Sequence, residues 1–451
     1  MELNPVLGPG DCPQPGMWYV ISSMGQHPSM RVGHTCSHIP GKTTDDKGRL
    51  LVIGGADPSG AYGDSYLLDL DAYQWSTPDY SGLRPRYEHA VFQPVSQPSK
   101  IFVFCGADQG RNMNDIQVLD LDEGKWTTAD VTGTPPSPRT CRNCASSGDK
   151  LYVFCGGHQG AEPVSDRQLY IFDAASMAWT NPDVKGKKPT CRHGHVMVAV
   201  GNKIYLHGGM ARETFFNDMH EFDTRTLTWK QVRCKGDIPL GCTAHGAVAV
   251  GNKIFMFGGM SPNGALDTAY MFDTSNSRWR QVKIEGAPPA SRLDFAVCTA
   301  RLYYDQPTTD DTQAPDSETL SAIVNAATSG TAGTESPSNV DVKSTIEQGT
   351  AIVGSEPAPT DSRGDSRGDN VGENETLPSE NACASTSGTT VDVFPPEEGA
   401  VASTTEGSSA GTQGSIAGDQ GNCLVLVVHG GMDTQGEVFD DCLVLRLDDL
   451  L

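Results

Sequence analysis

The sequence contains no apolar run that approaches the roughly 18 residues that a membrane-spanning helix requires. Its first residues, MELNPVLGPG, lack the basic and apolar regions of a secretory signal peptide. Basic residues are scarce too, since 33 Lys and Arg stand against 56 Asp and Glu, for a net charge of −23. A surface that neutralises nucleic-acid phosphates is therefore not expected. These absences predict a cytoplasmic protein that binds no nucleic acid and has no transmembrane segment.

Motifs of catalysis are absent as well. The sequence shows no Gly-rich phosphate loop, nucleophile elbow or HExxH. The number of cysteines, thirteen, is odd. Cys105 and Cys155 occupy the same strand position, which is typical of small core residues. The single CRNC motif at 141–144 has no second cysteine pair with which to form a metal site. We therefore expect no enzyme activity, no cofactor and no metal.

Glycine pairs and tryptophans recur through most of the chain. Gly55, Gly106, Gly209 and Gly259 each precede a Trp by 20 residues, and Gly157 precedes one by 22. The tryptophans, Trp75, Trp126, Trp179, Trp229 and Trp279, are therefore spaced by 50 to 53 residues. This is the period of kelch repeats, in which each repeat is one four-stranded blade of a β-propeller.

Each repeat shows the parts of a blade. Apolar runs such as LLVIGG, IFVFCG and IFMFGG predict strand b, ended by glycine at a turn. Strand c ends in an Asp six residues before the Trp, where its side chain can bind the backbone of the c–d turn. The Trp begins strand d.

The last repeat is incomplete, and the N-terminus supplies what it lacks. Counting 20 residues from Gly431 reaches Leu451, where the sixth Trp is due, and the remaining tryptophan is Trp18 in GMWYVISSM. Residues 18–23 are therefore predicted to close the ring as strand d of blade six. The predicted fold is all-β, a six-bladed kelch propeller, with an N-terminal arm at 1–17, the propeller at 18–304 and the remainder of blade six at 421–451.

A long acidic insertion separates the first two strands of blade six. The interval from Arg292 to Gly431 is 139 residues, against 17 to 24 in the other repeats. Residues 305–420 contain 20 acidic and 3 basic residues, no Trp or Tyr and one Phe, and they account for −17 of the net charge. Such a composition buries too little apolar surface to offset the entropy of ordering, which predicts a disordered insert.

Arginine and histidine recur where strand a is predicted to start. A histidine that repeats at one position (His34, His89, His195, His245) indicates one structural role performed in several blades rather than a catalytic site. For the arginines two interpretations stand: hydrogen-bonded locks between blades, or a cationic mouth that binds an acidic peptide or loop. These arginines are Arg31, Arg86, Arg139, Arg192 and Arg292.

Several segments carry a resemblance that goes beyond the repeat. PRYEHAVF, RHGHVMVAVGNKIYLHGG, FGGMSPNGALDTAYMFD, SRLDFAVC and GGMDTQGEVFDDC, with PVLGPGD and WYV before the first blade, resemble the family of Rab-nine effector proteins with kelch motifs. The resemblance implies a non-enzymatic effector that binds a GTP-loaded late-endosomal Rab GTPase. It also implies a role in returning mannose-6-phosphate receptors to the trans-Golgi network, with peripheral association to endosome and trans-Golgi membranes.

The resemblance identifies no Rab-contacting residue, so the candidates come from the loops. The b–c loops are outward connections, and large apolar side chains there suit a protein interface. They are Tyr62, Phe215, Phe216, Met260, Leu266 and Phe439. Packing against the next blade is the alternative for each. The alternative function is a substrate-recognition or scaffold propeller that binds an acidic peptide, and a closed ring is expected to be monomeric.

Overall fold

The computed structural model describes residues 3–43, 46–159, 162–305 and 420–450. These residues form antiparallel sheets in which the strands follow one another in the order a, b, c and d. Strands a of neighbouring blades contact each other, so strand a is innermost and strand d outermost. The predicted all-β, six-bladed kelch propeller is confirmed, and the predicted insert lies almost wholly outside the described residues.

The four main strands of the blades have the following bounds. Blade 1 comprises Thr35–Ile39, Arg49–Ile53, Ser65–Asp69 and Gln74–Ser76; blade 2 comprises Ala90–Phe92, Lys100–Phe104, Ile116–Asp120 and Lys125–Thr128; blade 3 comprises Ala145–Ser147, Lys150–Phe154, Leu169–Asp173 and Ala178–Thr180. Blade 4 comprises Val196–Val200, Lys203–His207, Met219–Asp223 and Thr228–Val232; blade 5 comprises Gly246–Val250, Lys253–Phe257, Ala269–Asp273 and Arg278–Gln281; blade 6 comprises Ala296–Asp305, Gln420–His429, Cys442–Arg446 and Trp18–Ile21.

Shorter strands complete the sheets. Outer two-residue strands run parallel to strand d at Val6–Leu7, Met24–Gly25, Lys185–Gly186 and Lys235–Gly236. Hairpins in the b–c loops pair Ala56–Asp57 with Gly60–Ala61, Ala107–Asp108 with Arg111–Asn112, Gly157–Gln159 with Glu162–Pro163, Met210–Ala211 with Thr214–Phe215, and Met260–Ser261 with Gly264–Ala265. A 3-10 turn forms at Asp448–Leu450.

The N-terminal strand closes the ring as predicted. Trp18, Tyr19 and Val20 pair with Leu445, Val444 and Leu443 in antiparallel register. Blade 6 therefore contains strands from both ends of the sequence, and strand c of this blade is covered on its outer side. Strands a and b of the same blade remain paired as far as Asp305 and Gln420.

The repeated tryptophan packs between its own blade and the blade before it. Trp179 packs 4.8 Å from Phe104, which ends strand b of blade 2, and 5.2 Å from Phe172 in its own blade. Trp229 packs on Phe154 and Trp18 on Phe257 in the same way. The six tryptophans are at most 4% exposed, so the core lies between the blades.

The turns follow the residues that the sequence provides. The Asp69 carboxylate accepts hydrogen bonds from the amides of Asp71 and Ala72, and the Asp that ends strand c in blades 2 to 5 binds its c–d turn in the same manner. Gly106 has φ 96°, and a Cβ there would lie 2.8 Å from the Tyr87 carbonyl oxygen. Glycine at this position is thus required by a close backbone approach.

The sequence suggested that the repeated arginines begin strand a, but the structure places them before it. Strand a of blade 1 begins at Thr35, four residues after Arg31, and the other blades show a similar offset. Residues with positive φ, such as Gly33 and Glu88, intervene and interrupt the extended backbone. The arginines therefore lie in the d–a loops, on the face of the ring that also carries the b–c loops. We call this the hairpin face.

Candidate functional site: the hairpin face and the central channel

Each repeated arginine is held inside its own blade. Arg31 donates from Nη1 to the Gly54 carbonyl oxygen at 2.9 Å and pairs with both oxygens of Asp64, at 2.7 and 3.1 Å. The same arrangement, with the carbonyl oxygen of the residue that follows strand b and one carboxylate, recurs in four other blades. The pairs are Arg86 with Asp115, Arg139 with Asp166, Arg192 with Asp218 and Arg292 with Asp441.

The guanidinium groups are paired with carboxylates and buried from solvent. Their side chains are at most 1% exposed, while the partner aspartates are 16 to 33% exposed. Four of the five aspartates use both oxygens, and Asp166 uses one. Charge-assisted pairs of this kind fix the orientation of a loop. The structure thus shows hydrogen-bonded locks rather than an open cationic mouth, because each positive charge already has its carboxylate. These locks lie within single blades, whereas the interpretation of the sequence placed them between blades. A direct contact between these arginines and a partner stays a prediction.

Blade 5 lacks both members of the pair. Cys242 occupies the arginine position and Thr268 precedes strand c where the other blades have aspartate. Cys242 is fully buried. Loss of the arginine and the aspartate together avoids leaving one buried charge without its partner, which would be strongly destabilising.

Three of the predicted loop residues lie over the arginines. The rings of Tyr62, Phe216 and Phe439 are centred 4.3, 4.0 and 4.4 Å from the guanidinium carbons of Arg31, Arg192 and Arg292. Leu266 is the equivalent residue in blade 5 and packs against the buried cluster that contains Cys242. These side chains are half-buried, so one part of each side chain packs within the propeller and the other part is exposed.

The other two predicted residues lie at the hairpins. Met260 forms a β-bridge with Thr243 and pairs with Ala265, and Phe215 pairs with Met210. Both Met260 and Phe215 are half-buried. The structure therefore places all six predicted apolar residues on the hairpin face, and their role as partner contacts stays a prediction.

The d–a loop of blade 5 adds apolar residues that sequence reasoning missed. Leu240 is 61% exposed and Ile238 is 46% exposed. The following Gly241 packs against the Phe215 backbone, and the Cys242 amide donates to the Phe216 carbonyl oxygen at 3.2 Å. We call Phe215, Phe216 and Leu240 the docking patch. The signal was available in the sequence DIPLG, where Leu240 occupies the position that Ser29, Arg84, Ser137, Thr190 and Ala290 hold in the other blades.

A second feature that sequence reasoning missed crosses the axis of the ring. Arg142 of blade 3 stands where most blades have the repeated histidine, and its Nη2 lies 3.3 Å from the Asp294 carboxylate of blade 6. The neighbouring Asn143 donates to the His245 carbonyl oxygen and accepts from the Met197 amide. Burial raises the pKa of Asp294 to about 6, although Arg142 acts in the opposite direction.

This crossing forms the floor of a central channel. A cavity of about 490 Å³ is lined by strand a and the residues just before it in all six blades, among them His38, Gln93, Arg142, Ser146 and Thr299. Its size is that of a small-molecule pocket. The lining also includes three thiols: Cys36 and Cys298 contact each other, Sγ to Sγ, at 3.6 Å, and burial raises the pKa of Cys144 to about 12.

The repeated histidines are buried and neutral. Burial lowers the pKa of His89 and His195 to about 3, and lowers that of His34 and His245 well below its usual value. Thr35 Oγ1 lies 2.9 Å from His89 Nε2, across the boundary between blades 1 and 2. The structural interpretation of these residues therefore fits their surroundings.

One group in the described part of the chain has the composition of a metal site. The ligand atoms of His207, Cys242 and His245 lie within 4.8 Å of one another and all three residues are buried. His245 already contacts Cys242 Sγ through Nδ1, at 3.6 Å, and His207 Nδ1 through Nε2, at 3.3 Å. An ion would have to displace one of these contacts, and we assign no metal here.

One cysteine prediction needs correction. Cys105 is not simply a small core residue, because a disulfide joins it to Cys141 of the CRNC segment. Sequence spacing could not reveal this pair, since it depends on two neighbouring blades meeting. Cys144 of the same segment remains free and donates to the Cys141 carbonyl oxygen at 3.0 Å.

The chain is similar to known kelch proteins. A family model described as the KLHDC2/KLHL20/DRC7 Kelch-repeats domain matches residues 42–259 and 144–306. A Xenopus laevis protein named Rab9 effector protein with kelch motifs is 51% identical over 220 residues, which are 49% of this chain and 60% of that protein.

Two further relatives carry the same name. The Homo sapiens protein is 45% identical over 220 residues, covering 49% of this chain and 59% of its own length. The Danio rerio protein is 46% identical over 230 residues, covering 49% and 66%. The matched stretch thus spans about three fifths of the curated relatives. Across the described residues, no helix has the length and apolar character needed to traverse a bilayer.

Proposed function

The chain belongs to the KLHDC2/KLHL20/DRC7 Kelch-repeats domain family, and from that premise we propose that it is a non-enzymatic effector of a Rab GTPase. The observation that carries the proposal is the 45 to 51% identity to proteins named Rab9 effector protein with kelch motifs. On this proposal the partner is the GTP-bound form of a late-endosomal Rab. The protein would then associate peripherally with endosome and trans-Golgi membranes and promote return of mannose-6-phosphate receptors.

The docking patch is the proposed contact with the GTPase. Protein interfaces concentrate their binding energy in a few apolar and aromatic anchors. Leu240 is exposed beside the half-buried Phe215 and Phe216. The backbone bonds of the adjoining loop hold these three residues in one place. A preformed patch of this kind would bind without a large ordering cost.

The first experiment measures binding of the full chain to a panel of Rab GTPases loaded with a GTP analogue or with GDP. We expect one GTP-form Rab to bind and its GDP form to bind far more weakly. Leu240→Asp should weaken that binding by about tenfold or more, because it places a charge at an apolar contact.

Val95→Asp is the matched control. Val95 is 76% exposed and lies in the a–b loop of blade 2, on the opposite face from the docking patch. It should leave binding unchanged. Equal loss in both variants would place the contact elsewhere, and absence of nucleotide-dependent binding to any Rab would contradict the effector proposal and leave the scaffold alternative.

A deletion of residues 306–419 tests whether the propeller alone suffices. Asp305 and Gln420 are paired across strands a and b, so a short turn can join them. Binding retained on deletion would support the hairpin face as the contact. Binding lost on deletion, with the propeller still folded, would assign the contact to the insert and contradict the docking patch.

A further inference from the structure

Two pairs of cysteines lie at the boundaries between neighbouring blades. Cys105 and Cys141, which form a disulfide, are separated by 36 residues in the sequence, and Cys155 and Cys191 have the same separation. Cys105 and Cys155 both follow strand b directly, with φ of 59° and 55°. The first cysteine of each pair therefore occupies the same place in its blade, whereas the second does not: Cys141 lies two residues after Arg139, and Cys191 lies one residue before Arg192.

A backbone hydrogen bond between blades brings each pair together. The Gly106 amide, next to Cys105, donates to the Arg139 carbonyl oxygen at 3.1 Å, two residues from Cys141. The Gly156 amide, next to Cys155, donates to the Arg192 carbonyl oxygen at 3.0 Å, adjacent to Cys191. The same hydrogen bond between blades thus places the second cysteine near the arginine in both pairs, after it for Cys141 and before it for Cys191.

The two sulfurs of the second pair converge. Cys155 and Cys191 hydrogen-bond each other through their side chains. Both also approach the Asp166 carbonyl oxygen, Cys155 Sγ at 3.9 Å and Cys191 Sγ at 3.8 Å, and Cys191 Sγ donates to the Ser165 carbonyl oxygen at 3.2 Å. The two sulfurs therefore lie against the same carbonyl oxygen.

The two thiols differ in reactivity. Cys155 is fully buried, while Cys191 is partly exposed. The hydrogen bond from Cys155 lowers the pKa of Cys191 to about 7, with Arg167 acting in the same direction and Asp166 against it. Burial raises the pKa of Cys155 well above its usual value. Cys191 is therefore the accessible nucleophile, and Cys155 is the resolving thiol behind it.

We propose that Cys155 and Cys191 form a redox-active pair that hydrogen peroxide oxidises to a disulfide joining blades 3 and 4. The Cys191 thiolate attacks one peroxide oxygen, the O–O bond breaks, and sulfenic acid and water form after proton uptake. Cys155 sulfur then attacks the sulfenic sulfur and a second water leaves. Two thiols lose two electrons and two protons, and peroxide is reduced to two waters.

The bond would act on the hairpin face. Cys191 immediately precedes Arg192, whose carboxylate partner is Asp218, and Cys155 lies beneath the b–c loop that holds Asp166. Oxidation would tie the d–a loop of blade 4 to blade 3. The inference concerns thiol chemistry and does not depend on the proposed Rab contact.

The test uses the full chain, fully reduced and then exposed to a slight excess of hydrogen peroxide. Remaining thiols are blocked with N-ethylmaleimide, and the protein is digested and mapped by mass spectrometry without reduction. We expect a cross-linked peptide containing Cys155 and Cys191, at the summed peptide mass less two hydrogens, and its disappearance on reduction.

Two variants make the result specific. Cys191→Ser should abolish this cross-link and leave Cys155 unmodified, because Cys155 is buried. Cys12→Ser changes another partly exposed thiol and should leave the cross-link intact. The proposal is overturned if wild-type Cys191 is converted to sulfinic acid without linking to Cys155, or if Cys155 stays reduced while thiols elsewhere in the chain are oxidised.

Discussion

Five arginines lie inside the propeller, and each depends on one carboxylate. A buried guanidinium is tolerated because a carboxylate and the carbonyl of the residue that follows strand b satisfy it, as Asp441 and Gly430 do for Arg292. Blade 5 shows that the pair is replaceable as a unit, since Cys242 and Thr268 occupy both positions. The pair thus behaves as one structural element rather than as two independent residues.

Replacing one member should cost more than replacing both. Arg292→Met is expected to lower the free energy of unfolding by about 3 kcal/mol, because it leaves Asp441 partly buried without a counter-charge. Adding Asp441→Thr should recover a substantial part of this loss. Urea unfolding of the two single variants and the double variant gives the coupling.

A surface pair provides the control for this cycle. Arg212 and Glu162 are 2.8 Å apart but 79% and 52% exposed. Arg212→Met should change the free energy of unfolding by less than about 1 kcal/mol, because water screens the pair. Additive effects of Arg292→Met and Asp441→Thr would show that the buried pair is no more coupled than this one.

Closure of the ring depends on one short element, Trp18–Ile21. It supplies strand d of blade 6 and, through Trp18, the wedge that packs on Phe257 of blade 5 at 4.8 Å. Without it, strand c of blade 6 becomes an open edge and the apolar surface of blades 5 and 6 meets water. This element therefore stabilises two blades that are distant from it in the sequence.

Removal of residues 1–22 should abolish a single cooperative unfolding transition. The expected reason is the loss of Trp18, since truncating one buried aromatic alone typically costs about 3–5 kcal/mol, together with the loss of its strand. Thermal denaturation followed by circular dichroism measures the effect, and a peptide of residues 4–22 added in trans should restore part of it.

A shorter truncation is the comparison. Removing residues 1–3 spares Asn4, whose side chain donates to the Ala287 carbonyl oxygen at 2.8 Å. This variant should unfold like the full chain. If the variant lacking 1–22 also unfolds at the same temperature, closure does not depend on the N-terminal strand.

At the scale of the whole molecule, buried histidines surround the axis. Burial holds the pKa of His207 and His429 at about 4 and that of His89 and His195 at about 3. An unfolded histidine titrates near 6.5, so the unfolded chain binds more protons as the pH falls below that value. Their contribution to stability is therefore complete above pH 6.5 and is lost progressively toward pH 4.

Stability should accordingly fall steeply on acidification. At pH 5 each of these histidines is expected to have lost about 2 kcal/mol of its contribution. The carboxyl of Asp294 works the other way, because its raised pKa of about 6 favours the folded state as the pH falls from 6 to 4. The effect of the several histidines on stability at acidic pH is therefore opposite to the effect of this one carboxyl.

Replacing one histidine isolates its share. His195→Phe should unfold with a shallower pH dependence below pH 6.5, because phenylalanine has no proton to gain, and blade 6 already carries Phe295 at the equivalent position. Urea unfolding between pH 4.5 and pH 7.5 measures the slope, taken here as about 1.4 kcal/mol per pH unit for one proton. A slope equal to that of the wild type would contradict a neutral His195.

Local patterns in the sequence were enough to predict the blades. Glycine pairs, the Asp of the c–d turn and the Trp of strand d act within one repeat, and Trp18 was identifiable as the missing strand because the count of tryptophans left no other role for it. Local residues determine local turns and strands, so the repeat and its closure could be inferred without knowing which blades meet.

The tertiary structure alone decided how the distant residues are used. It enclosed the arginines that the sequence left as either locks or a mouth, brought Leu240 beside Phe215, and joined Arg142 to Asp294 across the axis. It also paired cysteines from neighbouring blades. All but the first of these outcomes depend on contacts between blades, whose geometry follows from the packing of the whole ring and cannot be read from a single repeat.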